Sequence, residues 1–348
     1  MKNPRSIADY ADAPGVHLLG REDAWMAYSV SGGKDSSAAI AATMPLLDSI
    51  GHPRERRFLL HADLGRSEWR STHSHVEDLA RHFGLPLHVV KHTTHDMVSR
   101  WERRGELGRE RWAKGETVNL VGPWSSAGTR FCTSEMKIHV MSRFKRVYAE
   151  PVVSVMGIRR DESIGRSRAA FEAIDTGMKR YGRDDCMTWN PIADWSSEDV
   201  FAIHERQSIP LHEAYGLGST RLSCNFCVLA SINDLSIAAE HAGNHETHRE
   251  LVRMECRFAF SFQPSRWLGD VRADLLDARM RADLATAKDV AAHRRAAEAD
   301  YPEEYRKRRY GLLMPRDWDR IARIRSDLAP VLGIPDAVAD PRSALGLG

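Results

Sequence analysis
The chain has 348 residues, a formal net charge of +2, 42% hydrophobic and 28% charged residues, the profile of a globular protein with room for one large core or two domains. That composition excludes fibrous and low-complexity classes, and a charge so near zero neither requires nor forbids a nucleic-acid partner. Five cysteines, odd in number and sparse, argue for free thiols over a disulfide framework. The opening MKNPRSIADYADAPGVHLLG has no apolar signal core and the apolar runs are too short to span a bilayer, so the expectation is a cytoplasmic protein with no membrane partner.

In chain order, Ala24 to Val30 (AWMAYSV) predicts a strand and Ser37 to Met44 (SAAIAATM) a helix. Between them lies Ser31-Gly32-Gly33-Lys34-Asp35-Ser36-Ser37, placed where backbone N–H groups at a helix N-terminus would face an anion, with Lys34 adding positive charge. A Walker A loop would need glycine at position 28 and Ser or Thr after the lysine, and the chain has Tyr28 and Asp35. A Gly-Gly turn followed by a helix cap is the plainer alternative.

Arg57 to His61 (RFLLH) and Leu87 to Lys91 (LHVVK) predict further strands, separated by Val76, Leu79, Ala80 and Phe83 at helical spacing. His61-Ala62-Asp63-Leu64-Gly65 puts Asp63 at the carboxyl edge of the sheet, as a nucleotide contact or simply as a turn former. The Gly-, Arg- and Trp-rich stretch from Trp101 to Thr129 has weak periodicity and predicts a lid. Within it, Trp101-Glu102-Arg103-Arg104 through Arg109-Glu110-Arg111-Trp112 interleaves aromatic and basic residues. That pattern can stack bases and track phosphates, or form a solvated helix with i,i+4 ion pairs.

Val152 to Met156 (VVSVM) predicts another strand, followed by Gly157-Ile158-Arg159-Arg160-Asp161-Glu162-Ser163-Ile164-Gly165-Arg166. Arg159 and Arg166 could clamp phosphate or sulfate oxygens, or decorate a charged surface turn. From about Ser231 the pattern becomes long polar helices such as Leu284 to Ala299. The expected fold is α/β, a doubly wound, mostly parallel Rossmann-like sheet in residues 1–230 with a lid insert at about 100–130, and a helical region over 231–348.

S-G-G-x-D-S resembles the PP-loop of the adenine-nucleotide alpha-hydrolases, which implies a grip on the pyrophosphate end of ATP and cleavage between the alpha and beta phosphates. G-x-R-x-x-x-S-x-x-R, here Gly157, Arg159, Ser163 and Arg166, resembles the second signature of the phosphoadenosine phosphosulfate (PAPS) reductase-like family. Asn190-Pro191-Ile192-Ala193-Asp194-Trp195 with Glu198-Asp199-Val200, then Ile209-Pro210-Leu211 through Tyr215-Gly216 and Arg221, continue it. The resemblance runs from about Trp25 to Ala230. It implies nucleotide contacts at Ser31, Gly32, Gly33, Lys34, Asp35, Ser36, Ser37, Asp63, Gly157, Arg159 and Ser163, with Lys34, Asp35, Asp63, Arg159 and Arg166 acting in catalysis and Asp35 or Asp63 on Mg2+.

Cys224-Asn225-Phe226-Cys227 and Cys132, in a segment that carries Lys137, supply three thiols with basic neighbours, which suits a 4Fe-4S cluster. Zn2+ is the alternative and would take a fourth ligand from Cys186, Cys256 or a histidine. PAPS reductases carry a catalytic cysteine in an E-C-G-L-H-like tail, whereas this sequence has no cysteine after Cys256. The retained parts look more like PP-loop enzymes of DNA phosphorothioation or tRNA thiolation, which activate a substrate with ATP and then transfer sulfur. That resemblance implies ATP, DNA or tRNA, and a sulfur donor such as a cysteine desulfurase as partners, and leaves open a homo-oligomer. The alternatives are a PAPS or APS reductase and a nucleotide-binding subunit of a modification or defence complex.

Overall fold
The computed structural model describes residues 14–222 and 224–347, so most of the opening segment read for a signal lies outside the described residues. The chain divides into two compact units, one running to Asp96 and resuming over Arg130–Ala238, the other comprising Met97–Thr129 and the residues from Ala239 onward. Among the described residues no helix is long and apolar enough to cross a membrane.

The first unit is built on a six-stranded sheet in the order β3-β2-β1-β4-β6-β5. The strands are β1 (Trp25–Val30), β2 (Arg57–Asp63), β3 (Leu87–Lys91), β4 (Val152–Val155), β5 (Glu172–Ile174) and β6 (Met187–Trp189). All neighbours pair in parallel except β5 with β6. Alternation along β1 explains its two covered faces: Met26, Tyr28 and Val30 join one core with Ala38, Ile40 and Ala41 of the following helix, while Ala27 joins Phe58, Leu60 and Val152 on the other side. The strand order turns at β1, whose neighbours are β2 and β4, so the crevice outside the carboxyl end of β1 is where a doubly wound sheet places a ligand.

The second unit is helical, with Met97–Ala113, His245–Phe258, Ala278–Ala299 and Pro315–Val331 as its main elements. Glu255 is fully buried and accepts from the N–H groups of Phe262 (2.7 Å), Leu268 (2.8 Å) and Gly269 (3.0 Å), fastening the turn after its helix. Burial pushes its carboxyl up to about 7 despite those three donors.

The stretch expected as a lid forms the helix Met97–Ala113 and clusters with the C-terminal region. Its tryptophans are not free to stack on bases: Trp101 is 2% and Trp112 0% exposed, Trp101 packing edge-on to Trp124 and Phe262. Arg103 pairs with Glu106 and Glu110, and Arg111 with Glu116. The helix is therefore an ion-paired surface over a buried aromatic face, the arrangement of the second of the two expected readings.

Candidate nucleotide site
The loop leaves β1 at Val30, and the helix begins at Lys34, earlier than the expected Ser37, and runs to Ser49 with Gly33 as its N-cap. Ser31, Gly32 and Gly33 thus form the whole turn. Gly32 has φ +76°, which favours glycine, and a Cβ there would stand 3.2 Å from both His75 and Leu222 side chains. The N–H groups of Gly32 and Gly33 make no hydrogen bond among the described residues, and they precede a helix whose N-terminal dipole favours negative charge.

Lys34 is turned inward at 3% exposure, its Nζ lying 5.6 and 5.5 Å from the ring centres of Phe201 and Tyr215 and 3.3 Å from Asp35 Oδ2. The other carboxylate oxygen of Asp35 accepts from Arg159 Nε at 2.6 Å. Arg159 Nη1 in turn donates to both oxygens of Asp161 at 2.6 Å and to the Trp195 carbonyl at 3.3 Å. Burial works against the Arg159 charge, but Asp35 and Asp161 outweigh it and hold the guanidinium above its ordinary value. Gly157 explains how the two signatures meet: a Cβ there would sit 2.4 Å from the Asp35 carbonyl and 2.5 Å from Ser36 N. The third motif closes the same frame. Arg160 N donates to Ala193 O at 2.9 Å, the Arg160 guanidinium pairs with Asp194, and Asp199 caps the helix Ser197–Arg206.

The other expected residues divide between the crevice and its surroundings. Asp63 ends β2, two positions past the His61 that pairs with Val30, and accepts from Gly65 N at 2.7 Å. The Ser36 hydroxyl donates to Gly33 O at 2.7 Å. Ser37, expected on phosphate, is instead buried against His204, with its Oγ 3.0 Å from His204 Nε2 and 3.1 Å from Lys34 O. Arg166 pairs with Glu162 four residues earlier, across a turn, and Ser163 is exposed. The structure therefore brings together Ser31 to Asp35, Gly157 and Arg159, with Asp63 at the neighbouring strand end. It assigns Arg166 to a local ion pair.

Three histidines that the sequence reading did not single out, and Tyr215, quoted there only as part of a motif, complete the frame. Burial pulls both His75 and His204 below their ordinary values, His75 facing the Gly32 carbonyl and His204 the Lys34 carbonyl at 2.9 Å. His212 Nδ1 accepts from Ala214 N at 3.2 Å, which leaves its proton on Nε2, 3.2 Å from Ser71 and 3.4 Å from Thr72 hydroxyls. The Tyr215 hydroxyl accepts from Lys34 N at 3.1 Å and from Leu222 N at 3.2 Å, and burial pushes the phenol up to about 12. His212 and Tyr215 sit in the Ile209 to Gly216 segment, a signal available in the sequence. His75 and His204 lie on helices and carry no such signal.

Tyr215 also ties the helix after the Ser31–Gly33 turn to the chain entering Cys224. Asn225, next in sequence, donates from its backbone to Ser67 O (2.8 Å) and from Nδ2 to Arg66 O (3.1 Å) and Glu68 O (3.2 Å), holding the C-x-x-C loop at the carboxyl end of β2. Cys132 lies on the turn Phe131–Thr133, which runs into a π-helical segment, Ser134–His139, carrying Lys137. The Cys224 side chain is half-buried by accessible surface yet closely enclosed by protein. That enclosure pushes its thiol up to about 12, with Lys137 pulling it down and Cys227, Glu68 and Cys132 adding to the rise. The three thiols are thus electrostatic neighbours, and as soft donors beside a lysine they fit a thiolate-bound metal in chemistry. In geometry, no group of three or more Cys, His, Asp or Glu converges as a metal site among the described residues. Cys186 is buried in the core with Ala27 and Phe58, and Cys256 lies in the second unit.

Replacing Lys34 with Met should keep the contact beneath Phe201 and Tyr215 and remove one of the two cations on Asp35. Calorimetric titration should show nucleotide affinity about tenfold weaker, since a charge-assisted hydrogen bond contributes about 1.5 to 3 kcal/mol, with thermal unfolding little changed. Wild-type affinity in the variant would remove Lys34 from the site.

Residues 25–230, which contain every part of this frame, match the phosphoadenosine phosphosulfate reductase domain. The chain belongs to that family. Among curated relatives, an uncharacterized protein of Methanocaldococcus jannaschii is 24% identical over 202 residues, covering 58% of this chain and 41% of that protein. An uncharacterized 37.8 kDa protein of Escherichia phage 186 is 29% identical over 120 residues, 33% of this chain and 34% of that protein. The chain thus spans well under half the length of either. The phosphate complex of PAPS reductase from Candida auris is 14% identical with a TM-score of 0.37, covering 64% of this chain and 97% of that one.

Proposed function
We propose that the chain is an ATP pyrophosphatase that adenylates an oxygen of its acceptor for subsequent sulfur transfer. The observation that carries this reading is the turn of Ser31, Gly32 and Gly33 ahead of a helix N-terminus, locked by Gly157 and the Asp35–Arg159 pair. The acceptor oxygen attacks the alpha phosphorus. A P–O bond forms to the acceptor, the bond from the alpha phosphorus to the alpha–beta bridging oxygen breaks, and pyrophosphate leaves with the electron pair. Sulfide, released by a thiol reductant from the persulfide that a donor such as a cysteine desulfurase carries, then attacks the acceptor atom bearing the adenylated oxygen; the new bond to sulfur forms, the bond from that atom to the oxygen breaks, and AMP leaves with the electron pair. The N–H groups of Gly32 and Gly33, with the helix dipole, stabilise charge growing on pyrophosphate. Asp35 carries Lys34 and Arg159 on its two oxygens, so Asp63 is the better Mg2+ ligand, magnesium preferring one or two carboxylates plus phosphate oxygens.

Cys132, Cys224 and Cys227 would hold the 4Fe-4S cluster, which when bound supplies iron for handling sulfur. A reductase would instead need a thiolate to take the sulfonate. Burial, with Glu255 and Asp283, pushes the Cys256 thiol up to about 11, which makes it a poor nucleophile at neutral pH for that role.

Two measurements test the reading. Incubation with ATP and Mg2+ should release AMP and pyrophosphate; ADP and phosphate, or reduction of PAPS to sulfite, would overturn it. Anaerobically purified protein should be brown with about four irons per chain, and Cys132→Ala, Cys224→Ala or Cys227→Ala should each bleach it while Cys186→Ala and Cys256→Ala do not. A colourless protein with one zinc would make the centre structural.

A further inference from the structure
Beside the end of edge strand β3, a cavity of about 320 Å3 is lined by Val90, Lys91, His92, Thr93, His139, Val140, Arg143 and Phe144. Four of those eight side chains are basic or imidazole, and none is acidic. Lys91 and Arg143 are exposed, and neither forms an ion pair among the described residues. The same holds for Arg146, Lys179 and Arg180 on the adjoining surface. Elsewhere Arg103, Arg111, Arg183, Arg249, Arg257 and Arg272 carry carboxylate partners, whereas this group of cations lies together on one face with none among the described residues. The patch is continuous with an aromatic platform. The exposed Tyr181 ring lies 4.1 Å from the Arg146 guanidinium, and its hydroxyl is 3.3 Å from His139 Nδ1. The helix Val140–Lys145 and the short helix Thr176–Lys179 that present these groups pack with little clearance, a Cβ on Gly177 coming to 2.3 Å from Ser142 Oγ, so the charges are held on one rigid support.

Unpaired like charges cost free energy to keep together unless a polyanion neutralises them. A cavity sized for one phosphate-bearing group, flanked by further cations and an exposed stacking ring, matches a chain of phosphates with bases rather than a single small anion. We infer that this face, from Lys91 through Arg143 and Arg146 to Tyr181, binds the phosphodiester backbone of a nucleic-acid strand. The inference rests on the proposed transfer to an acceptor at the crevice and names the acceptor's class. It also moves the nucleic-acid surface away from the Trp101 to Trp112 helix, whose arginines are already paired.

The test is anisotropy of labelled single-stranded DNA and RNA oligonucleotides across a salt titration, with the intact chain. The wild type should bind, and Lys91→Gln with Arg143→Gln should weaken binding about tenfold. The slope of log affinity against log salt should fall by about 0.7 to 0.9 for each contact removed. Tyr181→Ala should weaken binding while leaving that slope unchanged. Arg103→Gln with Arg111→Gln should bind as the wild type does. ATP affinity, measured in parallel, separates the two readings: strand binding that fails while ATP still binds overturns the nucleic-acid face alone, and loss of ATP turnover with strand binding intact counts against the pyrophosphatase reading. Equal affinity and slope in the Lys91/Arg143 variant would overturn the inference, as would a site that takes inorganic phosphate or pyrophosphate but no strand.

Discussion

Gly157→Ala is expected to remove nucleotide binding and to destabilise the first unit, although it adds one methyl group and no charge. The added Cβ would lie 2.4 Å from the Asp35 carbonyl carbon and oxygen and 2.5 Å from Ser36 N. Those are backbone atoms in the first turn of the phosphate-loop helix, and they cannot swing aside as a side chain can. Overpacking of this kind costs about 1 to 3 kcal/mol. For a unit of this size that is a fall of about 2 to 4 °C in melting temperature for each kcal/mol. Any relief must come from moving the loop, so affinity for ATP should fall further than stability does. Calorimetric titration beside thermal unfolding reads both. A variant that melts and binds as the wild type does would mean that the first two signatures are not locked together.

The parallel sheet was readable because its strands carry short β-rich runs: RFLLH fills the buried β2 almost to its end, and LHVVK matches the edge strand β3 residue for residue. β5 and β6 were not readable, since three residues of EAI or MTW carry no periodicity to detect. The phosphate loop was legible through its glycines, but the direction of Lys34 was not. That side chain runs inward because Phe201 and Tyr215, from segments far along the chain, provide a place for its stem and charge. Ser37 was misplaced for a related reason: once the helix starts at Lys34, the hydroxyl of the fourth helical residue reaches back to Lys34 O and across to His204. Trp101 and Trp112 mislead in the opposite sense. Their basic neighbours suggest a binding surface, yet at helical spacing the rings face the core and only the charges reach solvent. The placement of the C-x-x-C loop at the carboxyl end of β2 depends on the Asn225 tether and Tyr215, contacts between segments that no local pattern announces.

Arg159→Gln is expected to produce the second large effect, and its profile decides what the second signature does. The Arg159 side chain is 5% exposed and its Asp35 partner 15%. Removing one member of such a pair leaves the other charge enclosed, at a cost of about 3 kcal/mol, at the low end of the range because Lys34 remains on Asp35. Arg159→Lys keeps the charge but loses the fork that serves Asp35 on one side and Asp161 on the other, so it should recover only part of the stability. Asp35→Asn should weaken the same contact from the opposite end, and combining it with Arg159→Gln should cost less than the two effects added, as expected for coupled neighbours. Urea unfolding of the three single variants and the double variant measures this. A direct phosphate clamp predicts a different pattern, with ATP affinity lost, stability retained, and no coupling between Arg159 and Asp35. The geometry favours the first pattern, in which Arg159 fixes the carboxylate that shapes the loop and the backbone of Gly32 and Gly33 is left to meet the phosphates.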